Sequence, residues 1–198
     1  MRLGKVVRSN SHCDYVVQVD DALEVKNPPS PEDYGFGSFV KLESNQRHWA
    51  VGLVYNSQIL NPMFPNAGPR LSSQPDPYFS PDLQNEVRTL LSVILIGALD
   101  EERGCGWQGI PRVVVPVNTP VFRMSQEEIL RFHLNPQGQT QFSYYGLLLS
   151  SGGNFANHLV YQVLNDIIPM FSDPAQRRAL QILSKELAWK ITVGAIRR

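Results

Sequence analysis

The sequence predicts an α+β chain, a small closed β-barrel followed by a C-terminal helical segment that ends in an antiparallel helix hairpin. Three observations predict it. Apolar and polar residues alternate with period two through several short runs in the first half. Turn-forming Ser, Asn, Gly and Pro separate those runs. After Arg123 the apolar residues instead recur every third or fourth position. The expected division is residues 1–122 for the barrel, including a long Pro-rich loop at 56–82, and residues 123–198 for a helical extension packed on it.

The strands follow in order. Leu3–Arg8 and Cys13–Val19 flank Ser9-Asn10-Ser11 and read as a hairpin, with Cys13, Tyr15, Val17 and Val19 on one face. The Lys26–Pro31 stretch contains Pro28, Pro29 and Pro31 and cannot continue a sheet. Phe39–Glu43 alternates again, and Trp49–Tyr55 places Trp49, Val51, Leu53 and Tyr55 on one face. Leu90–Leu99 is apolar apart from Ser92, and its β-branched Val93, Ile94 and Ile96 favour a buried strand over a helix. These five strands are expected to close the barrel. Val113–Val117 reads as a further strand at an edge, because Pro116 has no N–H to donate.

The helices have start signals. Ser125-Gln126-Glu127-Glu128 is a capping box, followed by Ile129, Leu130, Phe132 and His133 on a short helix. Asn154 is placed to cap a helix in which Phe155, Leu159, Val163 and Ile167 recur, with Pro169 at its end. Asp173, Pro174 and Gln176 stand at the N-cap, N1 and N3 positions of the last helix, whose apolar stripe is Leu180, Leu183, Leu187 and Ile191.

Composition narrows the function. With 42% hydrophobic residues in 198, the chain can bury a real core. Lys plus Arg equal Asp plus Glu at 18 each, so binding to nucleic acid or an anionic membrane would need a local basic patch. Arg177, Arg178, Lys185, Lys190, Arg197 and Arg198 form the one such cluster, and nucleic acid is the weaker partner reading for it. Cys13 and Cys105 lack ligand spacing for zinc, and two unpaired thiols suit a reducing cytoplasm. No apolar run reaches the roughly 20 residues of a membrane span, and no signal core follows Met1.

Motifs for catalysis, cofactors and metals are not found. Gly4-Lys5 is followed by Val6, where a phosphate-binding loop needs Ser or Thr. His12, Cys13 and Asp14 alternate across a strand, so His12 and Asp14 share a face and Cys13 points to the other. Asp20-Asp21, Glu32-Asp33 and Asp100-Glu101-Glu102 read as solvated loop charge. Gly152-Gly153 precedes a helix and serves first to turn the chain. The expectation is therefore a non-catalytic protein without cofactor or metal; the alternative is a hydrolase using loop carboxylates.

Gly4-Lys5-Val6-Val7-Arg8, Tyr15–Val19, Asp33-Tyr34, Phe39-Val40-Lys41-Leu42 and Val51-Gly52-Leu53-Val54 together resemble a HAS-barrel. That barrel is shared by HerA-type DNA-translocating ATPases and the ring subunits of rotary ATP synthases. Glu32 stands where the family pattern has Gly before Asp-Tyr, and no ATPase domain or ATP-binding residue has a counterpart here. The remainder resembles a free-standing, mostly cyanobacterial type of barrel protein. The resemblance implies a docking or ring-forming module, an adaptor for a DNA-processing or ring-forming ATPase. The surface expected to meet a partner protein or a second copy is the Asn56–Asp82 loop with Met63, Phe64 and Arg70. Arg177 and Arg178 on the last helix are the second choice.

Overall fold

The computed structural model describes residues 1–45, 47–61, 87–100, 102–151 and 153–196; the side chains of residues 154 and 190–196 lie outside that description. Seven strands follow the alternating runs: β1 (Arg2–Ser9), β2 (Asp14–Val19), β3 (Phe39–Ser44), β4 (Arg47–Leu60), β5 (Arg88–Asp100), β6 (Cys105–Gln108) and β7 (Pro120–Arg123). Six of them close an antiparallel barrel in the circular order β1-β2-β5-β4-β3-β7. β6 pairs outside the ring, with Gly97–Asp100 at the end of β5.

The barrel closes differently from expectation. Its sixth strand is β7, which lies between β1 and β3 through Lys5↔Pro120 and Lys41↔Phe122. Proline is tolerated there because it opens the strand. Val113–Val117 is not a strand. Val114 and Val117 are exposed, and Val115 spends its N–H on the Tyr15 hydroxyl at 3.1 Å instead of on a ladder. The expected loop at Asn56 also starts too early, because Asn56–Leu60 continues β4 as an exposed arm paired with Arg88–Ser92. A bulge between Val54 and Asn56 re-aims the strand as it leaves the barrel.

All six barrel strands contribute to one buried cluster, among them Leu3, Val6, Tyr15, Val17, Val40, Leu42, Val54, Val93 and Val121. This is the barrel interior. The alternate residues of β3, β4 and β5, namely Phe39, Val51, Leu53, Ile94 and Ile96, face outward and are covered by the helices. β5 is apolar on both faces because both are buried.

Four α-helices supply that cover among the described residues: α1 (Gln126–Phe132), α2 (Tyr145–Ser151), α3 (Ala156–Ile167) and α4 (Pro174–Ile196). The capping box forms as expected, with Ser125 Oγ accepting the Glu128 N–H at 3.2 Å and Glu128 accepting the Ser125 N–H at 2.8 Å. Asp173 Oδ1 accepts the Ala175 N–H at 2.9 Å at the start of α4. The start of α3 corrects the sequence reading: a 3-10 turn at Gly153–Phe155 precedes it, and Phe155 rather than Asn154 is its N-cap. Leu159, Val160, Val163, Leu164 and Ile167 of α3, with Leu180 and Leu187 of α4, are buried against the outward face of the sheet.

His133 is the polar point of this joint and is fully buried. Its Nδ1–H donates to the Ile129 carbonyl at 2.7 Å, and its Nε2 accepts from the Tyr144 hydroxyl at 2.7 Å. The carbonyl can only accept, which fixes that tautomer. Phe39 and Phe132 meet the ring edge-on at 5.4 Å, and Phe142, Tyr144 and Phe171 complete the cage. Burial pushes its pKa down to about 4, so the ring is neutral near pH 7.

Candidate functional site

Met63, Phe64 and Arg70 lie outside the described residues. Arg177 is half-buried and donates to the Ser172 carbonyl at 3.2 Å, so it serves the start of its own helix. Arg178 is exposed. The α-helical spacing puts it on one face of α4 with Ile182, Lys185 and Trp189. The structure therefore separates the two arginines that the sequence placed together.

Two concave surfaces stand out on the barrel. One, of about 600 Å³, is lined by Tyr34, Phe36, Tyr55, Ile59, Phe155 and His158. It sits at the end of the β4–β5 arm where residues 62–86 leave and return. The other lies at the opposite end of the same two strands. Its two parts, of about 330 and 470 Å³, share His48, Ala98, Leu99 and Trp107.

That second groove is assembled from three places in the chain. The start of β4 supplies Arg47 and Trp49, the end of β5 supplies Ala98 and Leu99, and β6 places Trp107 directly opposite Ala98. The loop after β6 adds Pro111 and Arg112. The Arg47 guanidinium lies 4.6 Å over the Trp49 ring. Trp49 rests its body on the barrel interior, and its Nε1–H has no hydrogen-bond partner among the described residues. Trp107 is 49% exposed. Arg47 and Arg112 make one part of the rim cationic, while Asp100 and Glu102 make another acidic.

The rim is held in place. His12 Nε2–H donates to the Pro111 carbonyl at 2.6 Å, and the Asn118 N–H donates to the Val6 carbonyl at 2.8 Å. Val6 N–H in turn donates to the Thr119 carbonyl at 2.9 Å, and Val115 enters the interior cluster. Gly109, at φ +145°, turns the chain beside Trp107; a Cβ there would press the indole at 3.4 Å. The groove is thus built before anything binds it, which lowers the entropy lost on docking.

Its floor is wired to the helices. His48 Nε2 accepts the Leu99 N–H at 3.0 Å, which leaves the proton on Nδ1, 3.6 Å from Glu43 Oε2. Lys41 Nζ bridges Glu43 and Glu128 at 2.7 Å each. Burial works against the Lys41 charge, but its bonds to Glu128 and Glu43 prevail and hold its pKa above the usual value. Glu128 is the residue that caps α1, so the groove floor and the helical cover share one ion network.

The His12-Cys13-Asp14 run does not converge: His12 turns to Pro111, Asp14 accepts from the Asn10 amide at 3.0 Å, and burial raises the Cys13 thiol. Burial, followed by the hydrogen bond to Asp14, pushes the Tyr55 hydroxyl up to about 12. Among the described residues no group of three or more His, Cys, Asp or Glu is placed to hold a metal ion, and no helix is long and apolar enough to cross a membrane.

Sequence reasoning used Trp49 only as one of four residues on a strand face and passed over Arg47, Trp107 and Arg112. They lie up to 65 positions apart and meet only through the β4–β5–β6 register. The legible signal is that each tryptophan has an arginine within five positions, Arg47 before Trp49 and Arg112 after Trp107, the composition of interface anchors. No curated protein matches the chain. Residues 1–197 match the model of the family described as "Domain of unknown function (DUF8166)", and the chain belongs to that family.

Proposed function

We propose that this chain is a non-catalytic protein-interaction and assembly module, and that the Arg47–Trp49–Trp107–Arg112 groove is where it takes an extended, proline-rich polypeptide. The single observation that carries the reading is two tryptophans and two arginines gathered on a rim pinned by backbone hydrogen bonds. Trp and Arg are the side chains most enriched among residues that dominate binding energy. Aromatic-lined grooves dock proline-rich segments, whose restricted backbone leaves little entropy to lose.

The HAS-barrel resemblance extends this to a role as adaptor for a DNA-processing or ring-forming ATPase. The free thiols of Cys13 and Cys105 are consistent with work in the cytoplasm.

Tryptophan emission tests the groove directly. Titration with a synthetic proline-rich peptide unrelated to this chain is expected to give a saturable spectral shift that Trp107→Ala loses. An unchanged spectrum at millimolar peptide removes the groove as a docking site.

A further inference from the structure

We infer that the natural occupant of the groove is the Pro-rich stretch, residues 62–81, of a second copy of this chain, so that copies join head to tail. The inference rests on the reading of the groove as a polypeptide-docking site and names its partner.

Composition points to this stretch. Prolines stand at 62, 65, 69, 75, 77 and 81, interleaved with Met63, Phe64, Tyr78 and Phe79. The charges match as well. Asp76 lies between two prolines and suits the cationic rim of Arg47 and Arg112; Arg70 follows a proline and suits the acidic rim of Asp100 and Glu102.

Distance points to a second copy. The stretch is anchored at Leu60 and Arg88, which pair with each other at one end of the β4–β5 arm. The groove is at the other end, beside Arg47 and Leu99. β4 spans Arg47–Leu60, so at roughly 3.3 Å per residue the ribbon runs about 40 Å from groove to anchor along its length, somewhat less in a straight line across its two bulges. The middle of the stretch lies about 13 residues from either anchor, and that many residues pulled straight also cover roughly 40 Å. Docking within one molecule would spend most of that length on the span and leave little to lie along the rim, at a cost in chain entropy. Between molecules the restriction vanishes. Donor and acceptor sit at opposite ends of one ribbon, so the contact is heterologous and builds a ring where the rotation closes and a filament where it does not.

Sedimentation velocity on the full chain tests the inference. The wild type is expected to associate as concentration rises. The acceptor variant Trp107→Ala, and the donor variant carrying Phe64→Ala with Arg70→Ala, are each expected to associate more than tenfold more weakly. Circular dichroism checks that each stays folded, and Arg112→Glu replaces Trp107→Ala if that chain does not. An equimolar mixture of acceptor and donor variants keeps one intact junction per pair, so it should restore a species of two copies and nothing larger. A wild type that stays monomeric at 200 µM, on the order of ordinary weak interfaces, overturns the inference. It leaves the groove reading standing if the unrelated peptide still shifts the emission. Association that survives both variants, or a mixture that fails to pair, also overturns it.

Discussion

Two aromatic clusters in this molecule are built from similar residue types and have opposite fates. Around His133 the rings of Phe39, Phe132, Phe142, Tyr144 and Phe171 close completely, and both imidazole nitrogens have partners inside the protein. Around His48 the rings of Trp49 and Trp107 stay open to solvent on one side, and the Trp49 N–H has no partner among the described residues. The first cluster spends its chemistry on joining helices to barrel. The second sits where that cover stops, and its Trp107 ring remains half-exposed. Burial and satisfied polar groups, rather than residue type, separate a structural histidine cage from a docking groove.

The largest effect that sharpens this contrast belongs to the closed side. Leu164 is fully buried between α3 and the sheet, and Leu164→Ala should cost about 2–5 kcal/mol through lost burial plus a cavity. Leu183 of α4 is only partly buried on the same cluster, so Leu183→Ala should cost visibly less. Both are read by chemical denaturation. Equal losses would mean that α4 closes over this face more tightly than its partial burial allows.

The next effect is pH-dependent and belongs to His133. Its folded pKa of about 4 lies below the ordinary 6.5, so between those values the unfolded chain binds the extra proton. Stability from this group is complete above pH 6.5 and is lost as pH falls toward 4, to a limit of about 3 kcal/mol. Carboxylates such as Glu128, held low by Lys41 against the opposing effect of burial, add their own acid sensitivity. The comparison is therefore with His133→Phe, which should be less stable at pH 7, because Tyr144 loses its acceptor, yet flatter between pH 6.5 and 4. Parallel curves for the two proteins would show that the cage does not exclude the proton.

How much of this could be read beforehand varied with sequence separation. The strands of the Leu3–Val19 hairpin, the burial of Leu90–Leu99, the Ser125 capping box and the start at Asp173 all carry their signal within a few residues, and all form as read. Barrel closure does not. β7 carries little signal because four residues beginning with Pro120 look weaker than Val113–Val117, although Val115 of that run gives its N–H to the Tyr15 hydroxyl and Val6 bonds Asn118 and Thr119 just beyond it. Asn56–Leu60 reads as loop because its Asn-Ser-Gln is polar, and it is a strand because β5 pairs with it in solvent. α2 offers no capping residue of the usual kind, and β6 has only four residues. The groove shares the fate of β7: its residues are ordinary one by one and become a site only when three strands align.

The smallest stability effect is the one that decides the open side. Trp107 is half-exposed on β6, outside the closed ring of strands, and is a member of neither buried cluster. Burying a large apolar side chain fully is worth roughly 1.5–3 kcal/mol, so removing this half-buried one should cost about 1 kcal/mol. Its midpoint in urea should shift only slightly and its slope not at all. Binding should respond quite differently. A central anchor truncated to alanine loses about 2 kcal/mol or more of binding energy, upward of tenfold in affinity. Trp107→Ala should therefore separate the two quantities, nearly intact folding with docking of the proline-rich peptide weakened upward of tenfold. If stability falls by as much as for Leu164→Ala, the indole is a structural prop for the β5–β6 edge. The contrast between a closed and an open aromatic cluster would then fail at the residue on which it most depends.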